Sequence, residues 1–299
     1  MTTRHFLSLM DLSADEILSI VQRAIELKQL GKSAPKTLED HTMAMVFEKS
    51  STRTRTSFDI GMTQLGGHSM FLAPGDSQIQ RGEPIKDTAR VLSRMVDVIV
   101  MRTTAHDRVS TMAEYASVPV INALCDRYHP CQLLADLQTF AEHRGEIRGQ
   151  TFAWIGDGNN VCHSWMNAAR QLDFKLNIAT PAGFEPNADL IEACRDHIQI
   201  GNDPVTAAQG ARCVITDTWA SMGQEEEKAE REAAFSGFCV DDALMKQAEE
   251  DAIFMHCLPA YRGFEVSESV LEGPQSVVWD EAENRLHAQK ALLELLLLG

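Results

Sequence analysis

Residues 42–55 read TMAMVFEKSSTRTR, an apolar run that passes directly into hydroxyl residues and arginines. The apolar part, residues 42–47, is typical of a buried strand, and the residues from Thr52 onward fit the start of a helix. A buried strand followed at once by a helix favours an α/β fold with a parallel sheet. The remainder of the chain should then show the same alternation.

Six further apolar runs are predicted as strands, and each is followed by polar residues and a helical stretch. They lie at residues 96–101, 118–122, 151–155, 175–179, 213–216 and 252–256. Helices are predicted at residues 12–30, 132–142 and 288–298, the first with Ser13 as its N-cap and Glu16 at the capping-box position. This alternation predicts parallel sheets with helices on both faces.

A charged, glycine-containing segment at residues 143–150 (HRGEIRGQ) divides the chain. The length of 299 residues suits two domains of ordinary size. We predict one domain at residues 1–142 and a second at residues 143–284, with the final helix, residues 285–299, packing back on the first. Each domain should be a parallel sheet flanked by helices, with ligands beyond the C-terminal ends of the strands.

The composition excludes several classes of partner. The formal net charge is −16, so nucleic acid and anionic membranes are not expected to bind. Seven cysteines without a C-x-x-C pair disfavour a disulfide framework and favour a reducing compartment. The chain has no signal-peptide pattern and no apolar run of membrane-spanning length, which predicts a cytoplasmic protein. No residue cluster has metal-ligand spacing, so we expect no metal and no other cofactor.

Residues 50–55 (SSTRTR) form a basic island in this acidic chain. Arg53 and Arg55 offer bidentate donors, and a helix start adds backbone N–H groups and the positive end of the helix dipole. The segment therefore predicts an anion site, with an ordinary capped helix start as the alternative. It is not a P-loop, because the pattern G-x-x-x-x-G-K-[ST] is absent.

The wider segment, residues 47–58 (FEKSSTRTRTSF), resembles the carbamoyl-phosphate loop of the aspartate/ornithine carbamoyltransferase family. Three more segments follow in the family's order, at residues 129–132 (HPCQ), 217–223 (DTWASMG) and 256–259 (HCLP), and the last two resemble the ornithine branch. The resemblance runs essentially end to end. It implies two α/β domains with the active site in the cleft between them. It also implies direct attack of the δ-amine of L-ornithine on carbamoyl phosphate in a ternary complex, giving L-citrulline and phosphate, within arginine metabolism.

The resemblance also implies which residues hold each substrate. Those for carbamoyl phosphate would be Ser51, Thr52, Arg53, Thr54, Gln78, Arg102, His129, Gln132, Cys257, Leu258 and Arg285. Those for L-ornithine would be Asn160, Asp217, Ser221 and Met222. Arg102 and His129 would stabilise charge on the carbonyl oxygen, and Cys257 would lie beside the δ-amine. The resemblance further implies a homotrimer or a multiple of trimers.

Several of these residues also have an ordinary structural role as the alternative. His129 and Asp217 each stand where a helix start is predicted, and Asp is a common N-cap. Gln78 lies in a polar loop whose expected glycine is displaced to Gly82. Arg285 fits a surface arginine at the start of the last helix.

The sequence also bears on several alternative activities. Residues 156–160 (GDGNN) resemble a dinucleotide turn, but Val161 occupies the third glycine position of G-x-G-x-x-G, which disfavours an NAD-dependent oxidoreductase. Carbamoyltransferases for putrescine, an acylated ornithine or aspartate are closer rivals. The segment 217–223 disfavours putrescine, which has no α-carboxylate, and aspartate, which calls for more basic partners. A silent homologue that serves as a binding subunit is disfavoured because the phosphate arginines and the HCLP segment are present.

Overall fold

The computed structural model of the chain describes residues 3–219 and 228–299. Contacts divide the structure into two compact units. Unit 1 contains the chain up to Gln138 together with Glu283–Gly299, and unit 2 contains Thr139–Ala282. Each unit is built on one parallel sheet flanked by helices, as the alternation predicts. In the described residues, no helix is both long enough and apolar enough to cross a membrane.

The first part of the chain alternates strands and helices from end to end. Its elements are α1 (Ala14–Leu30), β1 (Thr42–Phe47), α2 (Thr52–Gln64), β2 (His68–Leu72), α3 (Ile85–Leu92), β3 (Val98–Arg102), α4 (His106–Tyr115), β4 (Val120–Leu124) and α5 (Pro130–Arg144). Short 3-10 helices occur at Leu9–Asp11, Gly31–Ser33 and Gln78–Arg81. The predicted capping box of α1 is confirmed, because Ser13 Oγ accepts from the Glu16 N–H and Glu16 Oε2 accepts from the Ser13 N–H.

The second part of the chain continues the alternation with shorter elements. They are β5 (Thr151–Ile155), α6 (Asn160–Leu172), β6 (Lys175–Ala179), α7 (Ala188–Cys194), β7 (Ile198–Gly201), α8 (Pro204–Ala208), β8 (Cys213–Thr216), α9 (Lys228–Ala234), α10 (Asp242–Met245), β9 (Ile253–His256), α11 (Glu268–Leu271) and α12 (Val278–Leu298).

The sheet of unit 1 has the strand order β2-β1-β3-β4. The chain leaves β1 for β2 on one side and later returns to β3 on the other, so the strand order reverses between β1 and β3. Ligands of open parallel sheets bind at such a reversal, beyond the carboxyl ends of the strands. The carboxyl ends of β1 and β3 are hydrogen-bonded to each other there, because the Glu48 N–H donates to the Arg102 carbonyl at 2.8 Å. The basic island follows β1 and therefore lies at this edge.

The sheet of unit 2 has the order β7-β6-β5-β8-β9, and its reversal falls between β5 and β8. The turn after β5 and the residues after β8 therefore share one edge. A core that includes Ile155, Val214, Phe254 and Trp219 packs against the strands. Its burial fixes the strands and hence the side chains that follow them.

The outer edge of β4 is covered by the N-terminal segment. The Phe6 N–H donates to the Val120 carbonyl at 2.8 Å, and the Phe6 carbonyl accepts from the Asn122 N–H at the same distance. The Asn122 side chain adds a hydrogen bond to the Leu7 carbonyl at 2.9 Å. Phe6 itself is fully buried.

Two strands were not predicted from the sequence. β2 and β7 are outer strands of their sheets, and their residues are either exposed or only partly buried. Neither therefore has the continuous apolar run that marks the central strands. The prediction for the last helix was wrong at its start, because α12 begins at Val278, ten residues before the predicted residue 288.

Candidate active site

The basic island of unit 1 forms the first turn of α2. Ser51 is the N-cap, and its hydroxyl accepts from the Thr54 N–H at 3.2 Å. Thr52 is exposed at the first helical position, whereas Thr54 is buried. The first-turn N–H groups lack intrahelical partners, so this turn can donate hydrogen bonds to an anion.

His129 and Arg102 bring two further polar side chains into unit 1. Arg102 is the last residue of β3, and His129 directly precedes α5; both are buried. Burial lowers the pKa of His129 well below its ordinary value. Three guanidinium groups lower this pKa further, those of Arg285, Arg102 and Arg53. His129 is therefore a neutral imidazole next to a group of cations, which can donate a hydrogen bond without adding charge.

Arg285 lies inside α12 and is 2% exposed, which contradicts the alternative of a surface arginine at a helix start. Its Nη1 donates to Gln132 Oε1 at 2.6 Å, and its Nη2 donates to Thr54 Oγ1 at 3.3 Å. Gln132 is also buried, and its Nε2 donates to Asp136 Oδ1 at 2.8 Å. These bonds tie three helices of unit 1 together around the basic island.

Two residues that were considered for the anion site lie apart from the cationic group, which consists of Arg53, Arg102 and Arg285. The Arg55 guanidinium lies 3.9 Å from the centre of the Phe71 ring, a cation–π contact, and is not among the charges with the largest effect on the pKa of His129. Gln78 is exposed in the 3-10 helix Gln78–Arg81. Of the two arginines in the island, Arg53 is the one that joins the cationic group.

In unit 2, the turn after β5 contains the glycines that resembled a dinucleotide motif. A Cβ atom on Gly158 would lie 2.3 Å from the Pro186 nitrogen, so this glycine is required by backbone packing. Asn159 caps α6, because its Oδ1 accepts from the Val161 and Cys162 N–H groups at 2.9 and 3.1 Å. Asn160, the first residue of α6, is half-buried.

Asp217 follows β8 at the same edge of the sheet and is 6% exposed. Its Oδ2 accepts from Asn159 Nδ2 at 2.8 Å, and its Oδ1 accepts from the Thr218 N–H at 2.8 Å and from Cys257 Sγ at 3.2 Å. A carboxylate offers about four acceptor positions. The described residues fill three of them, which leaves one on Oδ2 for a further donor.

Cys257 and Leu258 follow β9, and both are half-buried. The thiol of Cys257 points at Asp217, so residues predicted for opposite ends of the ornithine chain are in contact. Asp217, His256 and Cys257 also place ligand-type atoms within 4.8 Å of one another, a grouping that spacing along the chain did not reveal. Both ring nitrogens of His256 are, however, already hydrogen-bonded, to Leu258 and to Glu265.

A largely buried ion pair at the turn after β5 was not predicted from the sequence. Arg231 Nη1 donates to Asp157 Oδ2 at 2.8 Å and to the Trp219 carbonyl at 2.9 Å. Burial raises the pKa of Asp157 to about 6, and the charge of Arg231 acts in the opposite direction. Nothing in the sequence pairs these two residues, which are separated by 74 positions. Ser221 and Met222, both predicted to bind ornithine, lie outside the described residues.

Family models match both halves of the chain. The carbamoyl-P binding domain of aspartate/ornithine carbamoyltransferase matches residues 4–142, and the Asp/Orn binding domain matches residues 148–296. The chain belongs to the aspartate/ornithine carbamoyltransferase family. The first model covers Arg53, Arg102 and His129, and the second covers Arg285 and the cluster around Asp217.

Individual members of the aspartate/ornithine carbamoyltransferase family are similar over the whole chain. An ornithine carbamoyltransferase from Methylococcus capsulatus is 61% identical, with 99% of each chain covered. An anabolic ornithine carbamoyltransferase from Pseudomonas aeruginosa is 54% identical, over 99% of this chain and 98% of the relative. The solved structure of the Pyrococcus furiosus ornithine carbamoyltransferase is 48% identical, with a TM-score of 0.95 over 100% of this chain and 98% of that one. The resemblance and the fold class inferred from sequence are thereby confirmed.

Proposed function

We propose that this chain transfers the carbamoyl group from carbamoyl phosphate to the δ-amine of L-ornithine, giving L-citrulline and phosphate. The observation that carries the proposal is the buried Asp217 carboxylate, which follows β8 and is hydrogen-bonded to Cys257 and Asn159. A phosphate site would serve any carbamoyl transfer, whereas a buried carboxylate with a free acceptor position suits an α-ammonium group. Because the Pseudomonas aeruginosa relative is named anabolic, we place the reaction in arginine biosynthesis.

In unit 1, the proposed substrate is carbamoyl phosphate. The first turn of α2, with Ser51, Thr52, Arg53 and Thr54, would donate to the phosphate. Arg102 and neutral His129 would donate to the carbonyl oxygen, where negative charge develops as the amine attacks. Gln132 Oε1 accepts from Arg285, and the same side chain would accept from the carbamoyl NH2 group. Arg285 would thus orient Gln132 as well as balance the phosphate charge.

In unit 2, the proposed substrate is L-ornithine. Asp217 would hold the α-ammonium group, and Asn160, Ser221 and Met222 would complete the binding of the amino-acid end. The reaction forms a C–N bond and breaks the bond from the carbonyl carbon to the phosphate oxygen. Phosphate leaves with the electron pair, and the proton that the amine loses balances as the proton of the released hydrogen phosphate. The δ-amine must be neutral, although its ordinary pKa is near the lysine value of about 10.4, so desolvation beside Cys257 would favour the reactive form.

A citrulline assay across four amines tests the proposal. Purified chain with carbamoyl phosphate and a metal chelator is expected to release phosphate and citrulline with L-ornithine, and little product with putrescine, N-acetyl-L-ornithine or L-aspartate. Asp217→Asn keeps the side-chain shape without the charge; it tests the carboxylate and should lose most of the ornithine reaction. Turnover of another amine without citrulline would overturn the substrate assignment. Phosphate binding without any turnover would favour a silent binding subunit.

We also propose that the chain works as a homotrimer or a multiple of trimers, in which Gln78 reaches the phosphate of its own or a neighbouring site. The support is the family resemblance together with the exposed position of Gln78. Light scattering on the purified chain counts the subunits. A monomer with full activity would contradict the proposal.

A further inference from the structure

His256 ends β9 with an imidazole that is completely buried in unit 2. The Leu258 N–H donates to its Nδ1 at 2.8 Å, and its Nε2 lies 3.2 Å from Glu265 Oε1. Glu265 is 1% exposed. Neither side chain is accessible to a substrate, and neither belongs to the residues assigned to substrate binding. The pair needs a separate explanation, since a charged carboxylate is rarely buried unless it has a partner.

The hydrogen bonds determine where the protons are. Because Nδ1 accepts from Leu258, it carries no proton, so the ring proton is on Nε2 and is donated to Glu265. Glu265 Oε1 also accepts from the Tyr261 N–H at 2.5 Å. The Glu265 carbonyl in turn accepts from the Val240 N–H at 2.9 Å, which fixes the backbone of that residue. The carboxylate therefore holds the imidazole in the one tautomer that can accept from Leu258.

The Nδ1 atom of His256, as the acceptor of this hydrogen bond, supports an unusual backbone conformation at Leu258. Leu258 has φ = +58°, a left-handed conformation that is energetically unfavourable for a non-glycine residue. The bond from its N–H to a side chain two residues earlier has the pattern of an Asx-turn, which stabilises tight backbone turns. Cys257 lies inside this turn, and its thiol meets Asp217 at 3.2 Å. The direction of the Cys257 side chain and of the Leu258 carbonyl is therefore coupled to the His256 imidazole.

We propose that His256 and Glu265 are positioning residues, which fix the Cys257 thiol and the Leu258 carbonyl in the orientation that carbamoyl transfer requires. The inference rests on the proposed function, in which these two groups meet the δ-amine and the carbamoyl nitrogen. Neither residue of the pair touches a substrate. A metal ion held by Asp217, His256 and Cys257 is disfavoured, since it would have to displace Leu258 or Glu265 from the imidazole.

Two substitutions of His256 separate positioning from general stability. His256→Asn keeps an acceptor near the Nδ1 position, where it can form a true Asx-turn with Leu258, and loses the donor to Glu265. His256→Gln keeps a donor near the Nε2 position and loses the acceptor. With L-ornithine, kcat is expected to fall about 10- to 100-fold in H256Q, the scale of a misplaced reacting group. H256N should recover most of that loss.

The amino-acid end of the substrate gives a second readout. L-Norvaline is L-ornithine without the δ-amine, so it lacks the group that the Cys257 thiol is proposed to meet. We expect its Kd, and the KM for ornithine, to stay close to wild type in both variants. The inference would be overturned if H256N and H256Q lost kcat to the same extent and if this loss paralleled the fall in their melting temperatures. If neither variant folds, Glu265→Gln, which keeps an acceptor, and Glu265→Met, which has none, replace them with the same expected contrast.

The outcome for the wild type separates the two proposals. Wild-type chain that makes no citrulline refutes the proposed function. If the wild-type chain makes citrulline and both H256Q and E265M have the same kcat as the wild type, only the positioning role is refuted.

Discussion

Replacing Arg285 with methionine is expected to weaken phosphate binding far more than it lowers stability. Arg285 is buried in α12 and donates to Gln132 at 2.6 Å and to Thr54 at 3.3 Å. After burial itself, its charge is the largest influence that lowers the pKa of His129. The residue thus combines an internal structural link with a place in the cationic group.

The two effects differ in size. A hydrogen bond to a charged group contributes about 1.5–3 kcal/mol, so losing one such bond to the phosphate would raise Kd about 10- to 150-fold. Without ligand, methionine leaves the buried Gln132 oxygen short of one donor, which costs about 1–3 kcal/mol. Removing one cation also relieves its repulsion with Arg53 and Arg102. The net loss of folding free energy should therefore fall at the lower end of that range.

Calorimetric titration with inorganic phosphate and with carbamoyl phosphate measures the first effect, and denaturant unfolding without ligand measures the second. Arg55→Ala is the matched control, because Arg55 contacts Phe71 and is not among the charges with the largest effect on the pKa of His129. Arg285→Lys, which keeps the charge without the fork of donors, should give an intermediate affinity. The reasoning is refuted if R285M binds both anions as tightly as the wild type while its unfolding free energy falls.

Three more substitutions test individual residues. Arg53→Ala should weaken carbamoyl-phosphate binding far more than it lowers the melting temperature; an unchanged Kd with a large melting loss would remove Arg53 from the anion site. Cys257→Ala should impair ornithine turnover more than carbamoyl-phosphate binding, and the reverse pattern in the same two assays would place it elsewhere. Asp157→Asn tests a pH effect. The folded pKa of Asp157, about 6, exceeds the ordinary value of 3.8 because the group is buried. Folding therefore favours the protonated form, and this group costs stability as the pH rises from about 4 to about 6. At about 1.4 kcal/mol per pKa unit, the wild type should lose about 3 kcal/mol relative to D157N over that range. A stability difference that does not change between pH 4 and pH 7 would contradict this.

The sequence predicts the central strands and the residues at their ends, because both follow from local patterns. β1 and β3 are almost continuously apolar and buried, and Arg102 and Asp217 could be assigned to strand ends by position alone. The carboxyl ends of parallel strands share one edge, so these polar residues were expected near ligands. The outer strands β2 and β7 lack that signal because their side chains are only partly covered.

The remainder of the site depends on packing between distant segments. Arg285 was expected at the start of a helix, yet α12 begins at Val278, so Arg285 lies two turns inside it and is buried. Glu265 is one glutamate in an irregular segment, and nothing in its neighbourhood indicates that it contacts His256. Asp157 and Arg231 pair across 74 positions. Such contacts exist only once the core has brought the segments together.

The cover that Phe6 gives to β4 has a consequence for anyone who produces this protein. The segment satisfies backbone groups of Val120 and Asn122 that would otherwise form an open strand edge. Open edges pair with other chains, which is a common origin of aggregation. Deleting residues 1–8 should therefore reduce the yield of dispersed protein even though no substrate contact is removed. A purification tag placed ahead of this segment needs a flexible spacer, so that Phe6 can still dock.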